Sequence, residues 1–105
     1  MVNNMAIDLF CYTSYAESDL KGLVNRLVVE NDNLFSDKFI ISKVREINVI
    51  GREIALEYGL NARSLFLIGV NQKSASGEVP LVADLVRSML GKDSVVILWE
   101  NERMV

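Results

Sequence analysis

The 105-residue sequence predicts an α/β fold with a four-stranded, mainly parallel sheet and three helices. Strand-like and helix-like segments alternate along the chain, which favours right-handed crossover connections. Three of the strand-like segments are apolar at nearly every position, as expected where helices cover both faces of a sheet. With 50% hydrophobic and 24% charged residues, the composition fits one folded domain spanning residues 1–105.

The first predicted strand covers residues 6–13, which are apolar and aromatic apart from Asp8. A buried carboxylate must be paired or hydrogen-bonded. We therefore expect Asp8 to lie near a strand end or to meet an arginine such as Arg63, rather than to act as an acid, a base or a cation ligand.

The first predicted helix follows directly. Ser14 and Glu17 have the S-x-x-E spacing of a capping box, in which both side chains satisfy backbone donors at a helix start. The apolar residues of this segment recur on one helical face: Leu20, Leu23, Val24, Leu27 and Val28. The Asn- and Asp-rich segment at residues 30–34 predicts the end of the helix.

The middle of the chain predicts an edge strand and a short helix. Residues 38–47 mix apolar and polar side chains, and Lys43 and Arg45 would discourage pairing with another chain. Residues 49–58 place Ile50, Ile54 and Tyr58 at a spacing of four. Gly59 then predicts the helix end.

The last third predicts a strand, a helix and a final strand. Residues 64–70 are apolar at successive positions, and a polar loop at 71–77 leads to Glu78 and to Pro80 in a first helical turn. The apolar residues of this helix lie on one side, and Gly91 is expected to end the helix. They are Leu81, Val82, Leu85, Val86 and Met89. Residues 95–99 form the fourth strand, and residues 101–105 a short tail.

A ferredoxin-like α+β arrangement is the alternative. If the helix at 49–58 is only an elaborated turn, the strands at 38–47 and 64–70 pair antiparallel, with the helices on one face of the sheet. The two-sided apolar character of the other three strands favours helices on both faces instead.

The residue types present exclude most familiar catalytic chemistry. The sequence contains no histidine, which removes the commonest general base and metal ligand. The single cysteine, Cys11, stands among apolar residues and is expected to be a buried structural thiol. The loop at 71–77 matches neither phosphate-binding glycine motif, so a connecting loop is favoured over an anion site. We therefore expect no enzymatic activity, no metal and no cofactor.

Charge and hydropathy indicate which kinds of partner the protein can bind. The net charge of −3 and the scattered basic residues argue against direct nucleic-acid binding and suit a basic protein partner. The apolar runs are too short to span a membrane. Residues 1–5 lack the basic region of a secretory signal, so we expect a cytoplasmic protein.

The candidate partner-binding residues are acids and aromatic anchors. Acids cluster around the link between the first helix and the second strand, where they would attract a basic partner. In a parallel sheet Tyr12, Tyr15 and Trp99 would lie at the carboxyl ends of their strands, beside the 71–77 loop. The full set is Tyr12, Tyr15, Glu17, Glu30, Asp32, Asp37, Asn71, Lys73, Trp99 and Glu100.

The opening I-D-L-F-C-Y-T-S-Y at residues 7–15, followed by the predicted helix, resembles the start of immunity proteins from bacterial contact-dependent growth inhibition systems. The resemblance covers about the first third of the chain and carries over no binding motif. It implies a non-enzymatic inhibitor that binds and neutralises a cognate toxin domain, commonly a nuclease with a basic substrate channel.

Two other functions compete with this interpretation. A small-molecule or nucleotide-binding α/β domain would use the loop at 71–77. A small signalling module of the TIR type is suggested by the likeness of F-C-Y-T-S-Y, residues 10–15, to that family's first strand, although the chain is shorter than such domains and matches none of their later motifs.

Overall fold

The computed structural model describes residues 8–100 and 103–105. Its strands are β1 Asp8–Thr13, β2 Phe39–Ile41, β3 Arg45–Glu46, β4 Ser64–Val70, β5 Val95–Trp99 and β6 Arg103–Met104. Its α-helices are α1 Glu17–Glu30, α2 Asp32–Phe35, α3 Val49–Leu56 and α4 Val79–Leu90, and a 3₁₀ helix covers Lys73–Glu78. Of the predicted first strand, residues 6 and 7 lie outside the described residues, as do residues 1–5, on which the signal-peptide argument rested. Residues 101 and 102 of the predicted tail also lie outside them, and β6 follows.

Every strand pairing in the sheet is antiparallel, so the predicted mainly parallel, four-stranded sheet is wrong. The strand order is β2-β4-β1-β5-β6, with β3 also paired to β4. Cys11 in the central strand β1 lies opposite Phe66 of β4 and Ile97 of β5. The main strands thus have the order and directions of the ferredoxin-like alternative, with α3 added on the second face.

The error has a topological cause. The order of the strands makes β1 parallel to β2, but β4 lies between them. In the same way β4 is parallel to β5, with β1 between them. The crossovers through α1 and α4 therefore join parallel strands, as the alternation predicts, but each skips one position. The connection through α3 instead joins β3 to its antiparallel neighbour β4. Two interleaved crossovers of this kind give a sheet in which all neighbours are antiparallel.

The edge beside β4 is one interrupted strand. β2 pairs with the second half of β4, and β3 pairs with its first two residues. Ser42 bridges the gap: its N–H donates to the Leu67 carbonyl and its Oγ accepts the Leu67 N–H, both at 2.9 Å. The edge position predicted for residues 38–47 is confirmed, but the continuous strand is not.

Helices α1 and α4 cover one face of the sheet. The main core brings their inward side chains against Leu9 and Cys11 of β1 and Phe66 and Ile68 of β4. The predicted face of α1 is confirmed, because Leu20, Val24 and Leu27 are buried and Leu23 and Val28 are half-buried.

Helix α3 covers the other face with very small residues. Gly51 and Ala55 are its buried positions, and a Cβ at Gly51 would meet Ile47 and Asn48, the two residues just before the helix. A second cluster forms there from Tyr12, Ile47, Ala55, Leu60, Ala62, Val96 and Leu98. The apolar character of both strand faces is thus explained without a parallel sheet.

The helix ends agree with the sequence predictions except at the start of α1. The predicted capping box is wrong: α1 begins at Glu17 after Ala16, with no side-chain cap bond, and the Ser14 N–H donates instead to the Ser94 carbonyl at 3.0 Å. At the other end, Asn31 Nδ2 donates to the Leu27 carbonyl at 3.0 Å, as the Asn-rich segment predicted. Gly59 and Gly91 have positive φ angles after α3 and α4.

Candidate partner-binding surface

The candidate residues divide between two ends of the sheet. β5 runs opposite to β1, so Leu9 faces Trp99 while Tyr12 faces Val96. Tyr12 therefore lies near one end of β1 and Trp99 near the other. The predicted gathering of three aromatic residues at one sheet end fails for the same reason as the parallel sheet.

Tyr12, Tyr15 and Glu17 lie at the end where β1 finishes. The Tyr12 side chain is only 2% exposed and packs in the cluster beneath α3. The Tyr15 hydroxyl donates to the Leu90 carbonyl at the end of α4. Glu17 forms an ion pair with Lys21, with 3.6 Å between Oε2 and Nζ.

At the opposite end, β4 and β5 finish and β1 and β2 begin. Asn71 Nδ2 donates to the Asp37 carbonyl at 2.7 Å, and the Asn71 N–H donates to the Lys38 carbonyl at 2.9 Å. Lys38 Nζ lies 3.2 Å from Oε2 of Glu78 at the end of the 3₁₀ helix. These bonds bring the segment before β2 and the segment after β4 together.

We call this end, with the connection from α1 to β2, the acidic end. The side chains that the structure describes there include five carboxylates and two lysines: Asp8, Asp32, Asp37, Glu78, Glu100, Lys38 and Lys73. Carboxylates outnumber basic residues at this end even when Arg103, which lies opposite Trp99 in the sheet, is counted.

Asp8 and Trp99 are only partly exposed at this end. Asp8, the first described residue of β1, is half-buried, and its carbonyl accepts the Glu100 N–H at 2.7 Å. Arg63, its suggested partner, lies at the other end, where its N–H donates to the Thr13 carbonyl. Trp99 is half-buried against the main core. Glu30, in the last turn of α1, forms an ion pair with Arg26 at 3.3 Å.

Sequence reasoning missed an apolar surface on the α3 side of the sheet. Seven large hydrophobic side chains are exposed in the described part of the chain, and five of them lie on α3 or on that face: Ile40, Val49, Ile50, Leu56 and Met104. We call this surface the α3 face. Strand alternation could have placed Ile40 opposite the core, because its neighbours Phe39 and Ile41 point inward.

Two grooves open beside these elements. One of about 270 Å³ lies on the α3 face, and its apolar walls include Phe10, Leu67, Ile50 and Ile54. The other, of about 560 Å³, separates α1 from the interrupted edge, with Val24 and Ile41 in its floor. Charged side chains line this second groove: Glu17, Lys21 and Lys43.

Within residues 8–100 and 103–105 no group of three or more histidine, cysteine or acidic residues is placed to hold a metal ion. Cys11 is fully buried, as predicted, and burial raises the pKa of its thiol, opposed by the charge of Arg87. None of the described helices is both long enough and apolar enough to cross a membrane.

Comparison with known proteins identifies the family. Residues 5–103 match the model of the CDI System Immunity Component family. The chain is 40% identical over 102 residues to the immunity protein CdiI-2 of Burkholderia pseudomallei strain 1026b, covering 93% of this chain and 97% of the relative. It also matches a chain of the solved CdiA-CT/CdiI toxin and immunity complex from Burkholderia pseudomallei, with a TM-score of 0.91, 35% identity, and coverage of 94% and 96%. The chain therefore belongs to the family of CDI system immunity components.

Proposed function

We propose that this protein binds the C-terminal toxin domain of a cognate CdiA protein and neutralises it as a stoichiometric, non-enzymatic inhibitor. The observation that carries the proposal is the match along nearly the whole chain to a structure solved as a toxin and immunity complex. A cytoplasmic location fits this role, because neutralisation requires the inhibitor to share a compartment with the toxin. Binding needs no cofactor, no nucleic acid and no membrane.

We further propose that the toxin domain is basic, as a nuclease with a positive substrate channel would be, and that it approaches the acidic end. Asp37, Asn71, Lys73 and Glu100 are exposed there, and Asp32 is exposed in the connection from α1. Complementary charge accelerates encounter and fixes orientation. The hydrogen bond from Asn71 to the Asp37 carbonyl holds two of these segments in place before the toxin arrives.

The remaining candidates contribute differently. Trp99 supports this surface from the core side, and Glu30 adds negative charge at the end of α1. Tyr12, Tyr15 and Glu17 lie outside the proposed surface, at the opposite end of the sheet.

The basic experiment pairs the purified protein with the CdiA C-terminal domain of the same strain. We expect a one-to-one complex by calorimetry, and growth of cells expressing the toxin domain only when this protein is co-expressed. Failure both to bind and to restore growth would refute the proposed function.

Charge reversal tests the acidic end. We expect Asp37→Lys combined with Glu100→Lys to slow toxin association by about tenfold or more at low salt, and to weaken its salt dependence. The matched control is Asp93→Lys combined with Asp19→Lys, which changes the net charge equally at exposed positions elsewhere. Equal slowing by both double variants would show that net charge alone matters and would remove this surface.

A further inference from the structure

The α3 face forms an apolar surface beside the acidic end. Ile40 lies directly opposite Gly69 in the sheet, on the face that carries Phe10 and Leu67. Asp8 occupies the same row, and a Cβ placed on Gly69 would lie 3.2 Å from Oδ1 of Asp8. Ile40 therefore shares a row of the sheet with Asp8, at the border between the α3 face and the acidic end.

Exposed large hydrophobic residues are distributed unevenly between the two sides of the sheet. In the described part of the chain, the outer surfaces of α1 and α4 expose only Val29 and Leu81 among large hydrophobic residues. The α3 side exposes five, and Ile50, 68% exposed, stands at the wall of the 270 Å³ groove. Contiguous exposed apolar surface bordered by charge marks protein-binding sites, whereas scattered single residues do not.

The groove suits a side chain better than a small molecule. Its volume of about 270 Å³ lies below the roughly 300–1,000 Å³ of typical ligand sites. Besides Ile50, its apolar walls include Phe10, Leu65, Leu67 and Ile54, with Arg45 and Glu46 at the β3 side. Interfaces commonly place a large apolar anchor in such a pocket, surrounded by polar contacts.

Resting on the proposed function, we propose that the α3 face is the hydrophobic part of the toxin interface, and that the 270 Å³ groove receives an apolar side chain of the toxin. The acidic border selects a basic toxin domain over a second copy of this chain. A second copy would bring the same carboxylates towards the same face, which is repulsive, whereas a basic toxin places cations beside them.

The test replaces exposed isoleucines by glutamine, which leaves the charge unchanged. We expect Ile50→Gln and Ile40→Gln each to weaken binding of the CdiA C-terminal domain from the same strain, and the double variant to weaken it by about tenfold or more. Val29→Gln and Leu81→Gln are matched controls, since their side chains are 67% and 50% exposed on the opposite side. We expect wild-type affinity for both controls.

Three results would overturn this inference while leaving the proposed function intact. Wild-type binding by the folded Ile40→Gln/Ile50→Gln variant would remove the α3 face from the interface. Equal losses in the control variants would show a general effect of surface polarity. A dimer of the wild-type protein by light scattering that dissociates in the double variant would assign the face to self-association. A wild-type protein that does not bind the toxin at all would instead refute the proposed function.

Discussion

The Thr13 and Ser64 hydroxyl oxygens lie 2.6 Å apart in the fully buried interior, joining β1 to β4. The Ser64 hydroxyl donates its one proton to the Tyr15 carbonyl, also at 2.6 Å. Thr13 must therefore be the donor in the hydroxyl pair, because Ser64 has no second proton. The chain of bonds ties the start of α1 to the sheet at the point where β1 ends.

Ser64→Ala should lower the free energy of unfolding by about 1–3 kcal/mol, because it leaves the Thr13 hydroxyl and the Tyr15 carbonyl without this buried partner. Urea denaturation measures the change, and Ser18→Ala on the exposed side of α1 is the control. Adding Thr13→Val should cost less than it does in the wild-type protein. Additive losses would contradict a coupled pair.

Ser42→Ala should destabilise the protein by about 1–2 kcal/mol, because the Leu67 N–H then loses its acceptor where β2 and β3 are interrupted. Hydrogen exchange should show faster exchange of the Leu67 amide than in the wild-type protein. Ser88→Ala, at an exposed position of α4, provides the comparison. An unchanged exchange rate at Leu67 would show that the side chain does not bridge the gap.

Alanine at two helical glycines should have opposite effects. Nothing lies within 4 Å of a Cβ at Gly22, so Gly22→Ala should stabilise α1 by about 0.5–1 kcal/mol. A Cβ at Gly51 would meet Ile47 Cγ1 at 3.0 Å and Asn48 Oδ1 at 3.3 Å. Gly51→Ala should therefore cost about 1–3 kcal/mol. Thermal unfolding of the two variants tests this, and stabilisation by both would contradict the close packing of Gly51 against Ile47 and Asn48.

The Cys11 thiol should be inert in the folded protein. It is fully buried, and burial raises the pKa of the thiol above its usual value, so the reactive thiolate is scarce at neutral pH. Ellman's reagent should react with Cys11 only after unfolding in urea, in step with the loss of helical circular dichroism. Rapid stoichiometric labelling in native buffer would contradict the buried position.

Periodicity predicted the helices well where apolar residues alone decide the packing. The α1 stripe is inward as expected, and both glycines that were expected to end helices adopt positive φ angles. Leu81 is an exception in α4, because it was expected on the inward side and is 50% exposed. Periodicity misjudged α3, where Ile50 is exposed and Gly51 and Ala55 face the sheet. Buried positions taken by glycine and alanine are not identified by the spacing of large apolar residues.

The direction of strand pairing was beyond a local reading of the sequence. An alternation of strands and helices fixes which strands are joined by crossovers, but not whether another strand enters between them. Here β4 lies between β1 and β2. Long-range contacts place it there, and as a result all neighbouring strands are antiparallel instead of parallel. The candidate surface changed for the same reason, since Tyr12 and Trp99 belong to opposite ends.

In α3 the small residues that are buried in the fold are separate from the large residues that are exposed at the surface. Ala55 packs in the cluster with sheet residues, while positions 49, 50, 52, 53 and 56 point outward and take no part in either buried cluster. Outward positions of this kind can be exchanged at little cost in stability. If the α3 face contacts the toxin, as proposed, substitutions at these positions can change the choice of toxin while the fold stays the same.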